Sequence, residues 1–552
     1  IVNMVEHQDD LSNLGNSIRI AVAIEDGDIF STEYMETLKR INDEVFFLPG
    51  VDRSGLRSLW TPNVRWTEVT EYGFDGGPVA SHPAYLDEQA LDDLRVNVLK
   101  SGEIGRLVAN NFKSTIIEVP LQEFYPNPEN QSELLRMDYG KFSQQLEEKI
   151  RNQFQDENPN ISIHIVGFAK KVGDLIEGLG AVVMFFGIAL LITFVLLYWF
   201  TWCIRSTISV LMTTLIAVIW QLGLIYSLGF GLDPYSMLVP FLIFAIGISH
   251  GVQKINGIAL QSGEADNALI AARRTFRQLF LPGMIAILAD AVGFITLLVI
   301  DIGVIHELAI GASVGVGVIV FTNLIMLPVT ISYLGISKKA IERSKKDAVR
   351  EHPFWRAMSY TAHPKVAPFL VIIALVGGTG AFFYQKANLQ VGDLDQGAPE
   401  LHPDSRYNLD NDFIISNYST SSDVLVVMVE TPPEMCSSYE TMEAIDQLEW
   451  HMSNLPGVQS AVSLVTVAKQ VLMGNNEGNL KWQTLSRNQD NLNNAISRAP
   501  EGMFNNTCSL APVMVFLNDH KAETLKTATR GVEEFAAEYD TENMKFLLAA
   551  GN

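Results

Sequence analysis

Residues 179–202 read LGAVVMFFGIALLITFVLLYWFTW and contain no charged side chain and no histidine. A helix needs about 20 such residues to cross the hydrocarbon core of a bilayer. A helix buried in a soluble protein rarely reaches this length without a polar face, so the segment predicts a membrane span. Five further stretches are also long and apolar enough, at residues 206–230, 234–253, 281–300, 308–334 and 366–384, and two of them carry one ionisable residue each, His250 and Asp290.

The overall composition fits a membrane protein with large acidic flanks. The chain has 552 residues, 48% of them hydrophobic, and a net charge of −23 from 62 acidic and 39 basic residues. Most acidic residues lie in 1–175 and 386–552, and these regions are expected to be well solvated. Nucleic acid is not an expected partner, because phosphate binding requires the opposite charge.

The basic residues predict the orientation of the spans. They cluster after the third span and before the last one, and positive charge marks the cytoplasmic side. Both acidic regions then lie in the periplasm of a Gram-negative host, which requires a span before Ile1. Residues 336–365 form either an amphipathic helix on the cytoplasmic leaflet or a solvated linker. The clusters are Lys254, Arg273, Arg274 and Arg277, then Lys338, Lys339, Arg343, Lys345, Lys346, Arg350 and Arg356.

One pattern occurs in both acidic regions. Residues 18–25 (IRIAVAIE) precede a helical stretch and LPGV at 48–51, and residues 423–430 (DVLVVMVE) precede a helical stretch and LPGV at 455–458. Alternating apolar runs followed by helical periodicity are typical of βαβ units. Further strands are predicted in each region, and the two copies indicate an internal duplication. These later strands lie at 114–121 and 161–166, and at 510–517 and 545–548.

These features divide the chain into five parts. Two α/β domains of the periplasm flank six spans, and the fifth and sixth spans are separated by the basic segment. The predicted parts are a first α/β domain at 1–175, a five-helix bundle at 176–335, a cytoplasmic amphipathic linker at 336–365, a sixth span at 366–385 and a second α/β domain at 386–552.

Several motifs resemble those of exporters of the resistance–nodulation–division (RND) superfamily. GDL at 392–394, GAPEL at 397–401 and SRYN at 405–408 are similar to the stretch that follows their seventh span. AIGISHGVQ at 245–253 is similar to their fourth span, and DAVGF at 290–294 to their fifth. The resemblance covers essentially the whole chain and is strongest to the hopanoid exporter and the mycobacterial large membrane proteins (MMPL-like).

The resemblance implies a fold and a function. The fold has twelve spans and two ferredoxin-like porter domains in the periplasm, and this chain covers about half of its helices. The function is export of a hydrophobic or lipid-like substrate from the bacterial inner membrane, driven by the proton-motive force. Protons and membrane lipids are the expected partners, together with further copies of the chain and a periplasmic or outer-membrane accessory protein.

The candidate proton relay lies within the spans. In the lipid-exporting relatives the fourth span carries an Asp–Tyr pair, and the matching positions here are Ser249 and His250. Asp290 supplies a carboxylate one span later, at a depth that differs from that of His250 by about 5 Å. An ionisable group inside the bilayer is usually functional, and an imidazole that titrates near neutrality suits proton coupling. The alternative interpretation is a structural pair that tightens helix packing.

Other candidate positions lie outside the relay. Asp301, His306 and Glu307 are predicted at the external mouth between two spans, where they either accept protons or are merely solvated. Cys436 and Cys508 share the second periplasmic region, where a disulfide is permitted. No metal-site spacing, cofactor motif or phosphate-binding glycine loop is present, and nothing supplies a nucleophile elbow. We therefore expect no metal, no cofactor and no enzymatic activity.

Two other functional classes share this type of membrane core. One is a non-transporting, sterol-sensing-like sensor or scaffold, in which His250 and Asp290 could be neutralised without loss of function. The other is a proton-driven auxiliary of protein export, whose loss would cause unfolded precursors to accumulate rather than lipids.

Overall fold

The computed structural model describes residues 16–70, 73–80, 86–127, 133–231, 236–265, 267–300, 302–349, 353–389, 392, 397–421, 423–476, 479–499 and 502–549. The chain falls into two compact units. The α/β unit combines both ends of the chain, Ile1–Glu177 and Leu389–Asn552, and the membrane unit is Gly178–Asn388.

The α/β unit begins with strands and helices from the first end of the chain. In chain order these are β1 (Ser17–Ile24), α1 (Thr32–Phe46), β2 (Arg65–Thr70), β3 (Gly73–Pro78), α2 (Glu88–Ser101), β4 (Ser114–Pro120), β5 (Phe124–Pro126), β6 (Leu134–Arg136), α3 (Tyr139–Gln145), a π-helical segment (Leu146–Asn152), α4 (Gln153–Glu157) and β7 (Ile161–Gly167).

The membrane unit follows with long helices. They are α5 (Phe168–Thr201), α6 (Ile204–Ser227), α7 (Val239–Gln261, preceded by a 3-10 turn at Ser236–Leu238), α8 (Ala268–Ile295, extended by a 3-10 turn at Thr296–Val299), α9 (Gly303–Ile319), a π-helical segment (Val320–Met326), α10 (Leu327–Leu334), α11 (Lys338–Val349), α12 (Pro353–Ser359) and α13 (Ala367–Asn388).

The second end of the chain completes the α/β unit. Its elements are α14 (Arg406–Asn417), β8 (Val424–Glu430), α15 (Tyr439–Ser453), β9 (Val458–Val462), α16 (Leu464–Gly474), α17 (Gln489–Ile496), β10 (Leu510–Leu517), α18 (Ala522–Tyr539) and β11 (Lys545–Ala549).

Two antiparallel sheets organise the α/β unit. The first has the order β4-β1-β7 and the second the order β11-β8-β10-β9. The central strand β1 is the most apolar of its sheet, and Ile18, Ile20 and Val22 are fully buried. Ser31 and Ser438 cap the helices that follow β1 and β8, each accepting a hydrogen bond from a first-turn amide, as a serine at this position does.

The two LPGV segments have the same local structure. Val51 bridges Leu121 in the first sheet, and Val458 pairs with Leu517 in the second. Gly50 and Gly457 both have left-handed backbone angles, with φ of 81° and 87°. A residue without a Cβ adopts this conformation without steric cost, which explains the glycine in both segments.

Helix α14, from the second end of the chain, packs on β7 of the first sheet. Asp410 on this helix is fully buried. Its carboxylate forms an ion pair with Arg151 and accepts a hydrogen bond from the Ile165 amide at 3.0 Å. Nearby, Arg19 donates to the carbonyls of Thr420 and Ser421. These contacts fold the two ends of the chain into one unit.

The membrane unit contains six helical stretches long and apolar enough to cross a membrane, which is the architecture of a multi-pass membrane protein. We number them in chain order, and the second, third and fifth bury much more of their apolar surface within the described structure than the first and sixth. The spans are Phe168–Thr201, Ile204–Ser227, Ser236–Gln261, Ala268–Val299, Gly303–Leu334 and Ala367–Asn388.

The basic segment after the fifth span is helical. Helix α11 contacts the membrane unit through Ala340, which is buried, and through Arg343, whose guanidinium lies 4.9 Å from the centre of the Trp202 ring. The exposed lysines at 338, 339, 345 and 346 share this helix.

Candidate functional site

The third span packs closely on its neighbours because two glycines face them. A Cβ on Gly247 would lie 2.7 Å from Thr214 on the second span, and a Cβ on Gly251 would lie 2.7 Å from Val210. Real side chains do not approach this closely, so the glycines set the distance between these helices. His250 lies between the two glycines in sequence and is carried into the same tightly packed region.

Asn323 links the fifth span to this region. It is fully buried and lies in the π-helical segment Val320–Met326. Its amide group donates to the Thr214 hydroxyl at 3.0 Å and to the Gly247 carbonyl, and its carbonyl accepts from Thr322. A wide helical turn of this kind is rare and occurs often at functional sites. Three spans therefore meet in one hydrogen-bonded polar cluster.

His250 lies three residues after Gly247 on the third span. Only 8% of its surface is exposed, and its Nδ1 atom is buried without a hydrogen-bond partner among the described residues. An imidazole nitrogen that is neither solvated nor bonded costs free energy. It is also free to take up or release a proton if water or a neighbouring group reaches it.

Lys254 lies one helical turn after His250 and is even more deeply buried, with 2% of its surface exposed. Its ammonium donates to the carbonyl of Leu279 on the fourth span at 2.5 Å. Pro282 lies within that helix, where proline disturbs the backbone hydrogen bonds of the preceding turn. Gly283 leaves space for Leu324 of the fifth span, since a Cβ there would lie 3.0 Å from Cδ2 of that side chain.

The position of Lys254 corrects the predicted end of the third span. The sequence pattern ends this span at 253 and places Lys254 among the cytoplasmic basic residues, whereas the helix continues to Gln261 and encloses the side chain. The membrane unit thus carries a buried cation that hydropathy did not reveal. Lys254 and His250 are close enough to interact electrostatically.

The three residues of the predicted relay are only partly brought together. Asp290 interacts electrostatically with His250, but no hydrogen bond joins these two side chains among the described residues. Both Ser249 and Asp290 lie on exposed faces of their helices. His250 instead interacts electrostatically with both Asp290 and Lys254, and Ser249 lies on the exposed side of the third span.

The three residues predicted at the proton entry lie in different environments or outside the described residues. Asp301 lies outside the described residues. His306 and Glu307 are in the first turns of α9 and are partly buried. The Nε2 atom of His306 is buried without a hydrogen-bond partner in the described part of the chain, so this imidazole is not simply solvated.

The three cysteines are two disulfide-bonded residues and one free thiol. Cys436 and Cys508 form a disulfide, with their Cα atoms 5.1 Å apart, and Cys203 is a buried free thiol. The disulfide joins the loop before α15 to the loop before β10. Among the described residues there is no group of three or more His, Cys, Asp or Glu side chains that could hold a metal ion.

Sequence reasoning missed the uncharged part of the polar cluster. Asn323, Thr214 and Thr322 lie in apolar stretches, where amide and hydroxyl groups barely change the hydropathy. A signal was nevertheless present, because an asparagine in the middle of a predicted span needs a partner. Gln221 on the second span is a further example: it is fully buried, and neither atom of its amide has a partner among the described residues.

This arrangement brings together groups that can take up and release protons. It contains an imidazole without a bond at Nδ1, an ammonium held by a backbone carbonyl and a carboxylate on the next helix. Comparison with known proteins adds no assignment: no protein-family model matches the chain, and no functionally curated protein matches it either.

Proposed function

We propose that this protein is a secondary transporter of the bacterial inner membrane that uses the proton-motive force to export a hydrophobic or lipid-like substrate. The observation that carries the proposal is the buried, incompletely hydrogen-bonded His250 in the third span, one turn from the buried Lys254. Such groups inside a membrane are costly, and their usual role is ion or proton transfer.

The free-energy cost of burying these groups supports a role in transport rather than a purely structural role. A structural histidine would be expected to use both ring nitrogens in hydrogen bonds. Lys254 has one bond, to the Leu279 carbonyl, and an ammonium can donate three. A helix pair held together only for stability would be served as well by apolar side chains. The incomplete bonding leaves both groups able to exchange protons or partners.

The neighbouring backbone supports movement at this site. The π-helical segment Val320–Met326 carries Asn323, which bonds to two other spans. A wide turn can convert to ordinary helix by shifting its hydrogen bonds by one residue. We infer that protonation of His250 shifts the third span relative to the fifth through this cluster.

The finer features of the fold belong to the same proposal. The equivalent LPGV turns and their equivalent strand pairings support an internal duplication. The antiparallel order β11-β8-β10-β9 supports the expected ferredoxin-like porter domain, and the disulfide supports its position in the periplasm. The substrate class, the homo-oligomer and the accessory protein follow from the resemblance to lipid-exporting members of the RND superfamily.

The test compares lipids in separated inner and outer membranes. The strains carry the wild-type protein, a deletion, Asp290→Asn or His250→Gln, with Ser227→Ala as a control for an intramembrane polar change. Export predicts that one lipid class accumulates in the inner membrane of the deletion and of both relay variants, but not of the control.

The other outcomes separate the competing functions. A lipid shift in the deletion alone would preserve export but reject the relay. Unchanged lipids together with accumulated unfolded precursors would favour the protein-export auxiliary. Unchanged lipids and precursors, with a phenotype only in the deletion, would favour the sensor or scaffold.

A further inference from the structure

A cleft in the α/β unit has the lining of a ligand site and is independent of the intramembrane cluster. It has a volume of about 570 Å³ and lies between the end of β1, strand β7 and helix α14. Its walls come from both ends of the chain, so it exists only because α14 packs on the first sheet.

One wall of the cleft is a rigid stack of two rings. His164 and Phe413 lie parallel, with ring centres 3.8 Å apart and an angle of 5° between their planes. The Nδ1 atom of His164 is 3.0 Å from the carboxylate of the fully buried Asp410, which fixes the imidazole. Its Nε2 atom has no hydrogen-bond partner among the described residues.

The same carboxylate positions a cation at the cleft. Arg406 lies 3.1 Å from Asp410 through Nε and donates to the Ile163 carbonyl at 3.1 Å. About half of its side chain is still exposed, and its remaining N–H groups are available to a ligand. Because Asp410 is also paired with Arg151, it does not fully neutralise Arg406.

A second cation lies across the cleft. The ammonium of Lys113 donates to the backbone carbonyl of Glu25 at 3.0 Å, which holds the flexible side chain in place. The carboxyl group of Glu25 is the acidic side chain among the lining residues. The residues that line the cleft thus include two permanent cations and one anion, on a chain whose net charge is −23, and this contrast favours an anionic ligand.

The rest of the lining is mixed. Ser162 and Gln155 add polar groups, whereas Ala23, Ile24 and the face of Phe413 are apolar. An inorganic anion would leave this apolar surface unused, and a hydrocarbon would leave the cations unpaired. The combination matches a molecule with an anionic oxygen head and a short apolar tail.

We propose that this cleft binds single-chain amphiphiles with a phosphate or carboxylate head, with Arg406 and Lys113 binding the head and the His164–Phe413 stack contacting the tail. Arg406 presents a planar set of donors that suits oxyanions. The site does not depend on proton coupling, so it stands whether or not the chain is a transporter.

The test is calorimetric titration of the full chain in zwitterionic nanodiscs, with empty nanodiscs as the blank. Hexyl phosphate is the probe, and hexan-1-ol and inorganic phosphate separate the contributions of tail and head. We expect hexyl phosphate to bind about tenfold or more tightly than either. Lys113→Gln and Arg406→Gln should each weaken binding about fivefold or more, because each removes one charged hydrogen bond.

Two further variants test the charge of the preferred ligand and the location of its binding site. Glu25→Gln should tighten the binding of hexyl phosphate, since it removes the anion of the cleft. Lys141→Gln removes an exposed lysine elsewhere in the same unit and should leave the affinity unchanged. Thermal melting of each variant verifies folding, and Lys113→Gln serves as the decisive variant if Arg406→Gln is unstable.

Three results would overturn the proposal. The first is no heat above that of empty nanodiscs. The second is equal affinity for hexyl phosphate and hexan-1-ol, which would indicate non-specific apolar binding. The third is an equal effect of Lys113→Gln and Lys141→Gln, which would place the ligand elsewhere on the surface.

Discussion

The ammonium of Lys254 donates a hydrogen bond to the backbone carbonyl of Leu279, so that a buried cation joins the third span to the fourth. The carbonyl belongs to the turn that precedes Pro282, where the backbone bonding of the helix is disturbed. Lys254 also lies one turn from His250 on the third span.

This relationship predicts that two substitutions at Lys254 affect stability to different extents. Lys254→Met keeps most of the volume and removes the charge, so the free energy of unfolding should change by less than about 1.5 kcal/mol. Lys254→Ala leaves a cavity and should cost about 2 kcal/mol or more. Thermal melting in detergent checks both. Equal destabilisation by the two variants would show that the charge itself, and not the packing, holds the helices together.

Proton movement should depend on His250 and Asp290. In proteoliposomes with an internal pH dye, His250→Gln and Asp290→Asn should each reduce proton flux about tenfold or more, because each removes a group that carries the proton. Ser227→Ala is the matched control, since among the described residues this hydroxyl bonds to carbonyls of its own helix alone. Wild-type flux in both relay variants would leave His250 and Asp290 as structural residues.

The fifth span offers a matched pair of glycines. A Cβ on Gly315 would lie 2.7 Å from Ile243 and 2.8 Å from Gln221, whereas a Cβ on Gly317 would meet nothing within 4 Å. Gly315→Ala should therefore destabilise the protein by about 1–3 kcal/mol, and Gly317→Ala should be neutral or stabilise it by up to about 1 kcal/mol. Thermal melting of both in one detergent is the measurement. If both melt alike, the fifth span does not pack as closely as described.

The sequence predicted the apolar part of this molecule better than its polar part. Each of the six predicted spans overlaps one of the six long apolar helices, because a bilayer requires a long stretch of apolar side chains and hydropathy detects such a stretch. It ended the third span at 253, since a hydropathy window stops at a charge even when the helix buries that charge. The LPGV pattern located two equivalent turns because glycine alone relieves their positive φ.

Long-range pairing explains what the sequence could not predict. Asp410 meets Arg151 and His164 across more than 240 residues, and this contact brings α14 to the first sheet. No local pattern specifies which buried carboxylate meets which cation. The same limit applies to Asn323, whose partners Thr214 and Gly247 lie on two other helices.

The disulfide should contribute strongly to the stability of the α/β unit. Cys436 and Cys508 are 72 residues apart, and closing a loop of this length stabilises a fold by about 4 kcal/mol in the chain-entropy model. The double variant Cys436→Ser/Cys508→Ser should lower the melting temperature, and a reducing agent should lower that of the wild type but not that of the variant. Equal sensitivity to the reducing agent would mean that it acts elsewhere.

Asp423 should make the stability of the α/β unit depend on pH. Burial raises the pKa of this carboxyl from 3.8 to about 6, with Asp519 adding to the rise and His520 opposing it. His520 lies 3.7 Å away, and the Oδ2 atom has no hydrogen-bond partner among the described residues. The folded protein thus prefers the protonated form more strongly than the unfolded chain does.

The direction of this pH dependence follows from the thermodynamic linkage between proton binding and folding. A carboxyl whose folded pKa is raised contributes stability that is fully present below about pH 4 and is lost as the pH rises through about 6. With a difference of about two pKa units, the loss is roughly 2–3 kcal/mol by pH 7.5. Asp423→Asn should remove this dependence, so the variant should unfold at the higher denaturant concentration at pH 7.5 and approach the wild type at pH 5. Urea unfolding of both proteins in detergent at the two pH values is the measurement. Asp519→Asn is a control at a neighbouring carboxyl. It should lower the pKa of Asp423 and reduce the pH dependence of stability only in part. If wild type and Asp423→Asn change equally between pH 5 and 7.5, another group governs the pH dependence.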